Sequence, residues 1–170
     1  MNNLPIAISS NEFKDKVNVR FNNILDGFNN FKNFTIDGTL SNNSEKCIID
    51  FIYKIFEENN NECYIDFYIN KISNDEKENL MNLIDNEYKS LLKSIINMKH
   101  NDIYYKVTNK NILPFFIKLN TRELFFVTFY FTKNPITIWG NYNLKFPCFF
   151  DNNDTFEHYS SMAKSYIILE

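Results

Sequence analysis

Glycine occurs three times in 170 residues, at Gly27, Gly38 and Gly140, and never in a closely spaced pair. A loop that brings its backbone against a phosphate needs clustered glycines, so Walker and dinucleotide-binding fingerprints are excluded. Three cysteines (Cys47, Cys63, Cys148) and two histidines (His100, His158) are scattered singly, without the close ligand spacing of a zinc site. The odd cysteine count and the lack of short spacings point to free thiols in the cytoplasm rather than to a secreted disulfide framework. Arginine is confined to Arg20 and Arg122, and the net charge is −3. The lysines do not cluster; Lys106 and Lys110 stand among neutral residues. Nucleic-acid binding would therefore lack the grouped cations that supply most of its affinity. The longest apolar run, Leu124 to Phe131, contains Thr128 and falls far short of the roughly 20 residues of a membrane helix. The first ten residues have no basic stretch and are interrupted by Pro5, so no secretory signal is expected. No cofactor is expected either.

Aromatic rings are abundant. Phenylalanine (18) and tyrosine (10) raise aromatics to 17% of the chain, enough to build a core without disulfides or a metal. The length is that of one domain, taken as residues 1–170. Asparagine runs at 22–23, 29–30, 42–43 and 59–61 separate hydrophobic segments. Asparagine tolerates left-handed backbone and bonds to its own main chain, so it is read here as a turn former. The excess of Asn, Lys, Ile and Phe looks like the coding bias of an AT-rich genome, such as that of a bacterium or its phage.

Phe13, Val17, Phe21, Ile24, Leu25 and Phe28 recur at helical spacing and predict an N-terminal amphipathic helix capped by Ser10 or Asn11. Phe34 and Ile36 before Asp37-Gly38 read as a strand and a turn. Cys47 to Phe56 fits either period; its β-branched and aromatic content favours a strand, hairpinned through residues 57–62 to a second strand. There Cys63, Ile65, Phe67 and Ile69 alternate with Tyr64, Asp66, Tyr68 and Asn70, the pattern of a half-buried strand. Ser73 with Glu76 makes a capping box for a long central helix from Asp75 to Met98, with acids early and Lys89, Lys93 and Lys99 late. Strands follow at Ile103–Val107, Leu124–Thr132, Ile136–Trp139 and Leu144–Phe150. The segment from Asn109 to Phe116 reads as a short helix or turn interrupted at Pro114. Pro147 puts the last strand on an edge. Asp154 caps a short C-terminal helix with Phe156, Tyr159, Met162, Ala163 and Tyr166 on one side. The sum is an α+β fold: a mainly antiparallel sheet packed by an N-terminal, a long central and a short C-terminal helix, the helices gathered on one face.

No catalytic motif is present. A Cys–His pair assembled from Cys63 or Cys148 with His100 or His158 would need partners distant in sequence. Cys148, between Pro147 and Phe149, has apolar surroundings that raise a thiol's pKa. Asp50 and Asp66, on the two arms of the expected hairpin, mark its solvent side rather than a carboxylate pair. The features left over fit a surface for another protein. Glu57, Glu58, Glu62 and Asp66 gather around the hairpin, and Asp151, Asp154 and Glu157 at the last helix. Clusters of one sign steer an oppositely charged partner. Tyr64 and Tyr68 fall on the polar face of their strand, and Trp139 and Tyr142 flank the turn at Gly140-Asn141; Trp and Tyr are frequent interface anchors. The expected interface is therefore Glu57, Glu58, Glu62, Tyr64, Asp66, Tyr68, Trp139 and Tyr142. The function that follows is a non-catalytic cytoplasmic binding or inhibitor protein, of the kind an immunity protein represents, covering the cleft of a basic toxin or enzyme. An enzyme or small-molecule binder with a site drawn from distant Cys, His and Asp residues is one alternative. A homo-oligomeric structural subunit is the other.

Overall fold

A computed structural model describes residues 4–39, 43–98, 100–166 and 168–169. Asn42 and Lys99, used above as turn and helix-terminal residues, lie outside the described residues. The fold is α+β, and every ladder in its sheet is antiparallel. In chain order the strands are β1 (Ile6–Ile8), β2 (Lys32–Asp37), β3 (Cys63–Asp66), β4 (Tyr104–Val107), β5 (Thr128–Phe131), β6 (Ile136–Ile138), β7 (Lys145–Phe150) and β8 (Ile168–Leu169). They lie side by side as β1-β4-β3-β5-β6-β7-β2-β8. The helices are α1 (Ser10–Lys16), α2 (Ile24–Asn30), α3 (Ser44–Glu58), α4 (Asn74–Leu83), α5 (Lys89–Ile96), α6 (Leu113–Thr121) and α7 (Asn153–Ala163).

The expected strand at Cys47–Phe56 is instead the helix α3. Ile48, Phe51, Ile52, Ile55 and Phe56 are all buried, a spacing of three and one that only a helix turns to one side. Lys46–Asp50 and Lys54–Glu58 pair along its outer face at i,i+4. The strand reading failed because β-branched and aromatic content is a weaker signal than period. The hairpin fails with it, so Asp50 sits on a helix and does not face Asp66. The Asn reading of turns does hold here. Asn60 and Asn61 take φ of 60° and 56°, closing α3 as glycine usually would, and Asn143 does the same before β7 with φ 57°.

Two expected helices are each broken. At the N terminus, α1 is capped by Ser9 and stops at Lys16, the chain then bends at residues 18–19 and 22–23, and α2 starts afresh from an Asn23 cap. The central helix keeps its Ser73–Glu76 capping box but ends at Leu83; a 3-10 turn at Asn86–Tyr88 leads into α5. Arg122 on the far side of α6 closes this joint, its Nη1 on Asp85 (2.8 Å) and its Nε on Glu45 of α3 (3.1 Å). Lys118 adds contacts to Asp85 and Glu87 (3.1 and 3.3 Å).

Neither of two prolines interrupts as expected. Pro114 stands in the first turn of α6, where the missing N–H has no partner to lose. Pro147 lies in an interior strand, between β6 and β2, not on an edge. Its carbonyl accepts from Trp139 N–H (2.9 Å), and the reciprocal bond it cannot donate falls just where β6 ends at Ile138. The strand expected over Leu124–Thr132 is shorter, because Asn120 takes both main-chain groups of Val127 and residues 124–127 stay out of the sheet; what remains, β5, is central and covered as expected, with all four residues buried.

Alternation along the strands splits the rings between two faces. Phe34, Ile36, Ile65, Tyr105, Phe129, Phe131, Ile136, Ile138, Phe146 and Phe150 join α3, α5, α6 and α7 in the main core. The other face carries Tyr64, Tyr130 and Tyr104 with Phe13, Val17 and Ile8 from the N-terminal segment. The helices are thus not gathered on one face. The sheet is covered on both, and β3 is buried on both sides rather than half-buried. Among the described residues no helix is long and apolar enough to cross a membrane.

Candidate functional site

The eight residues expected to form an interface are not assembled into one. Tyr64 and Asp66 are buried, 3% and 7% exposed, because α1 lies over the strand face expected to meet solvent. The acids around 57–62 are satisfied within the chain: Glu57 meets Lys110 (3.6 Å), Glu62 meets Lys106 (2.7 Å), and Glu58 meets Lys54 (3.9 Å) and His158 Nε2 (2.8 Å). Tyr68 is exposed in a 3-10 turn at Tyr68–Lys71. Tyr142 is exposed and stands edge-on to Phe126 at 4.6 Å. Trp139 is half-buried, stacked on Phe21 at 5.3 Å.

That last contact leads to what the sequence reading missed. The segment between α1 and α2 alternates in burial, with Val17 and Val19 buried and Arg20 exposed. The Val19 carbonyl is held by the Thr137 hydroxyl of β6. Phe21 therefore lands on the sheet, stacked on Trp139 and edge-on to Phe149 at 4.7 Å. Gly27 makes room for it: a Cβ there would stand 2.8 Å from the Phe21 ring. Among the described residues nothing then covers the outer side of α2. Phe28 touches Phe149 at 5.2 Å and remains 41% exposed, and Leu25 is 68% exposed. The signal was present as the alternation Val17, Val19, Phe21, but the four-residue spacing of Phe13, Val17 and Phe21 fits a helix equally well.

Phe21 also forms one wall of a cleft of about 370 Å³ beside this belt. Tyr104 and Tyr130 line it, with Phe13 stacked on Tyr104 at 3.8 Å. Its rim carries Lys14, Arg20 and the amides of Asn18 and Asn22, with no carboxylate on the lining among the described residues. Arg20 is held by a hydrogen bond to the Val17 carbonyl. Comparison with known proteins found no matching family, no similar curated protein and no similar solved structure. The reading of this face therefore rests on its own chemistry.

Beneath the cleft lies a buried carboxylate. Asp66 accepts from the Thr128 N–H (2.8 Å) and the Tyr130 hydroxyl (2.9 Å). Burial pushes its pKa up to about 6 against the pull of these two donors. Burial likewise drives the Tyr130 hydroxyl well above its usual range. The thiols of Cys63 and Cys148 are pushed far up by burial, the opposite of what a nucleophile needs. His100 Nε2 lies 3.2 Å from the Tyr104 carbonyl, and His158 pairs with Glu58, so each histidine has a partner other than a thiol. Among the described residues no group of three or more His, Cys, Asp or Glu side chains is placed to hold a metal ion.

Proposed function

We propose that the chain is a non-catalytic cytoplasmic binding protein whose interface is the outer side of α2 with the neighbouring cleft. One observation carries this. A run of touching rings leads from the half-buried Phe21 at the cleft wall, through the half-buried Trp139 and the fully buried Phe149, to the exposed Phe28, with the exposed Leu25 beside it on α2. Exposed contiguous apolar surface rimmed by polar groups is characteristic of interaction sites, and Trp, Phe and Arg are enriched there. Lys14 and Arg20 on the rim fit a partner that brings an apolar anchor flanked by carboxylates. A cytoplasmic location agrees with three free thiols. The narrower idea of an inhibitor for a basic enzyme or toxin drew on the acids near residue 60. Those acids are neutralised by Lys54, Lys106 and Lys110, so they lend that idea little support.

Site-specific photo-crosslinking in the native host tests the interface. A crosslinker at Leu25 or Phe28 is expected to give one discrete adduct with another protein, lost when Arg20→Glu is added. Crosslinkers at Glu57 and Glu62 should give none. Trp139, the single tryptophan, reports occupancy by a blue shift of its emission when the partner is added. Adducts from Glu57 and Glu62 with none from Leu25 or Phe28 would move the interface to the acidic side and overturn the proposal.

A further inference from the structure

The break in the central helix leaves two helices side by side with an open groove of about 550 Å³ between them. Met81 of α4 and Ile96 of α5 form its floor, and Lys77, Lys89 and Lys93 stand along it with Glu78 the one acid on the lining among the described residues. Among the described residues none of these three lysines makes an ion pair, so three unpaired cations gather on one groove. In a chain of net charge −3 this is a local excess of cation.

Lys89 and Lys93 stand at i,i+4 on α5, where like charges repel. No described carboxylate pairs with either lysine, and such unrelieved local conflicts are where binding sites are expected.

We infer that the α4–α5 groove binds an acidic amphipathic helix of a partner protein. Its apolar stripe would lie on Met81 and Ile96, and its flanking Asp or Glu residues would meet Lys77, Lys89 and Lys93. The length fits. Helices α4 and α5 have 10 and 8 residues, and at about 1.5 Å per residue they offer roughly 12–15 Å, two to three turns of a guest helix. The site is separate from the α2 face and does not depend on it.

The test uses the full chain and a fluorescent synthetic helix of about 14 residues, long enough to approach helicity. Leucines occupy i, i+3, i+4 and i+7 and glutamates the outer positions; a lysine-for-glutamate copy is the control. The acidic peptide is expected to bind, more weakly with added salt, and the control not to bind. The combined change Lys77→Glu, Lys89→Glu and Lys93→Glu should weaken binding about tenfold or more. Met81→Asp, which keeps all three lysines, should weaken it as well. Leu25→Glu with Phe28→Glu should leave it unchanged, which separates this site from the α2 face. Unchanged thermal melting of the triple variant shows that its fold is intact. The inference is overturned if the acidic peptide fails to bind, if the control binds equally, if the triple variant binds as tightly as the native chain, or if phosphatidylserine vesicles compete the peptide away and bind more tightly.

Discussion

Replacing Asn120 with alanine is expected to lower the stability by about 3–5 kcal/mol, because two buried main-chain groups lose their partners together. Asn120, 1% exposed at the end of α6, donates from Nδ2 to the Val127 carbonyl and accepts at Oδ1 from the Val127 N–H, both at 2.8 Å. That pair fastens the helix to the chain just before β5. The side chain lies against Gly140. A Cβ at Gly140 would stand 2.4 Å from Oδ1 and 2.8 Å from the Val127 carbonyl oxygen. Gly140→Ala is therefore expected to be destabilising for the complementary reason: it intrudes where the alanine at 120 leaves a gap. Asn120→Asp keeps the acceptor for the N–H but turns a carboxylate oxygen toward the carbonyl, so it should recover only part of the loss. Urea unfolding reads all three. An Asn120→Ala midpoint equal to that of the native chain would show that the clamp carries none of the stability.

Asp66→Asn is expected to change how stability depends on pH, and to raise stability above neutrality. The carboxyl pKa moves from 3.8 to about 6 on folding, chiefly through burial. The folded state thus holds the proton more tightly than the unfolded one. The contribution of this group is fully present below about pH 4 and is lost as pH rises through 6. At about 1.4 kcal/mol per pH unit the loss amounts to about 3 kcal/mol. Other carboxylates act in the opposite sense. Asp85, held below its usual range by Arg122 and Lys118, and Asp102, held there by Ser10, lose their contributions as pH falls. The measurement is therefore the difference between Asp66→Asn and the native chain, taken by urea unfolding from pH 4 to 8. The variant should gain on the native chain as pH rises, since its amide still accepts from Thr128 and the Tyr130 hydroxyl can turn to accept. Asp66→Ala should lose stability at both ends, leaving Thr128 N–H and the hydroxyl unpaired. A difference that is flat with pH would refute the raised pKa.

How far the sequence could be read depended on whether a signal was local. The capping box at Ser73 needs only residues three apart, and it stands as expected. The turn-forming asparagines at 60, 61 and 143 are also local. The end of the central helix was not local. Apolar residues continue in helical register past Ile84, yet Asp85 is drawn to Arg122 and Lys118 across 37 and 33 residues, and the helix stops there. The α2 face was hidden for a similar reason. The asparagine pair at 22–23 marks the break locally, and Asn23 caps α2, but the apolar spacing runs on through it; the Thr137 hydroxyl, 118 residues away, ties the Val19 carbonyl to the sheet.

By itself, then, the sequence determined an α+β chain with a mainly antiparallel sheet, because aromatic content, turn residues and hydrophobic period act over a few residues at a time. It also determined which motif-bound chemistries are absent, because those motifs require fixed spacings. Tertiary structure decided which polar residues are surface. Tyr64 and Asp66 alternate correctly for a solvent face but lie under α1, while Glu57 and Glu62 meet lysines supplied by another turn and strand and Glu58 meets His158 of α7. Burial and charge pairing depend on what a distant segment lays on top. For that reason both proposed surfaces, the outer side of α2 and the groove between α4 and α5, appear only where a helix expected to be continuous is broken by contacts from far along the chain.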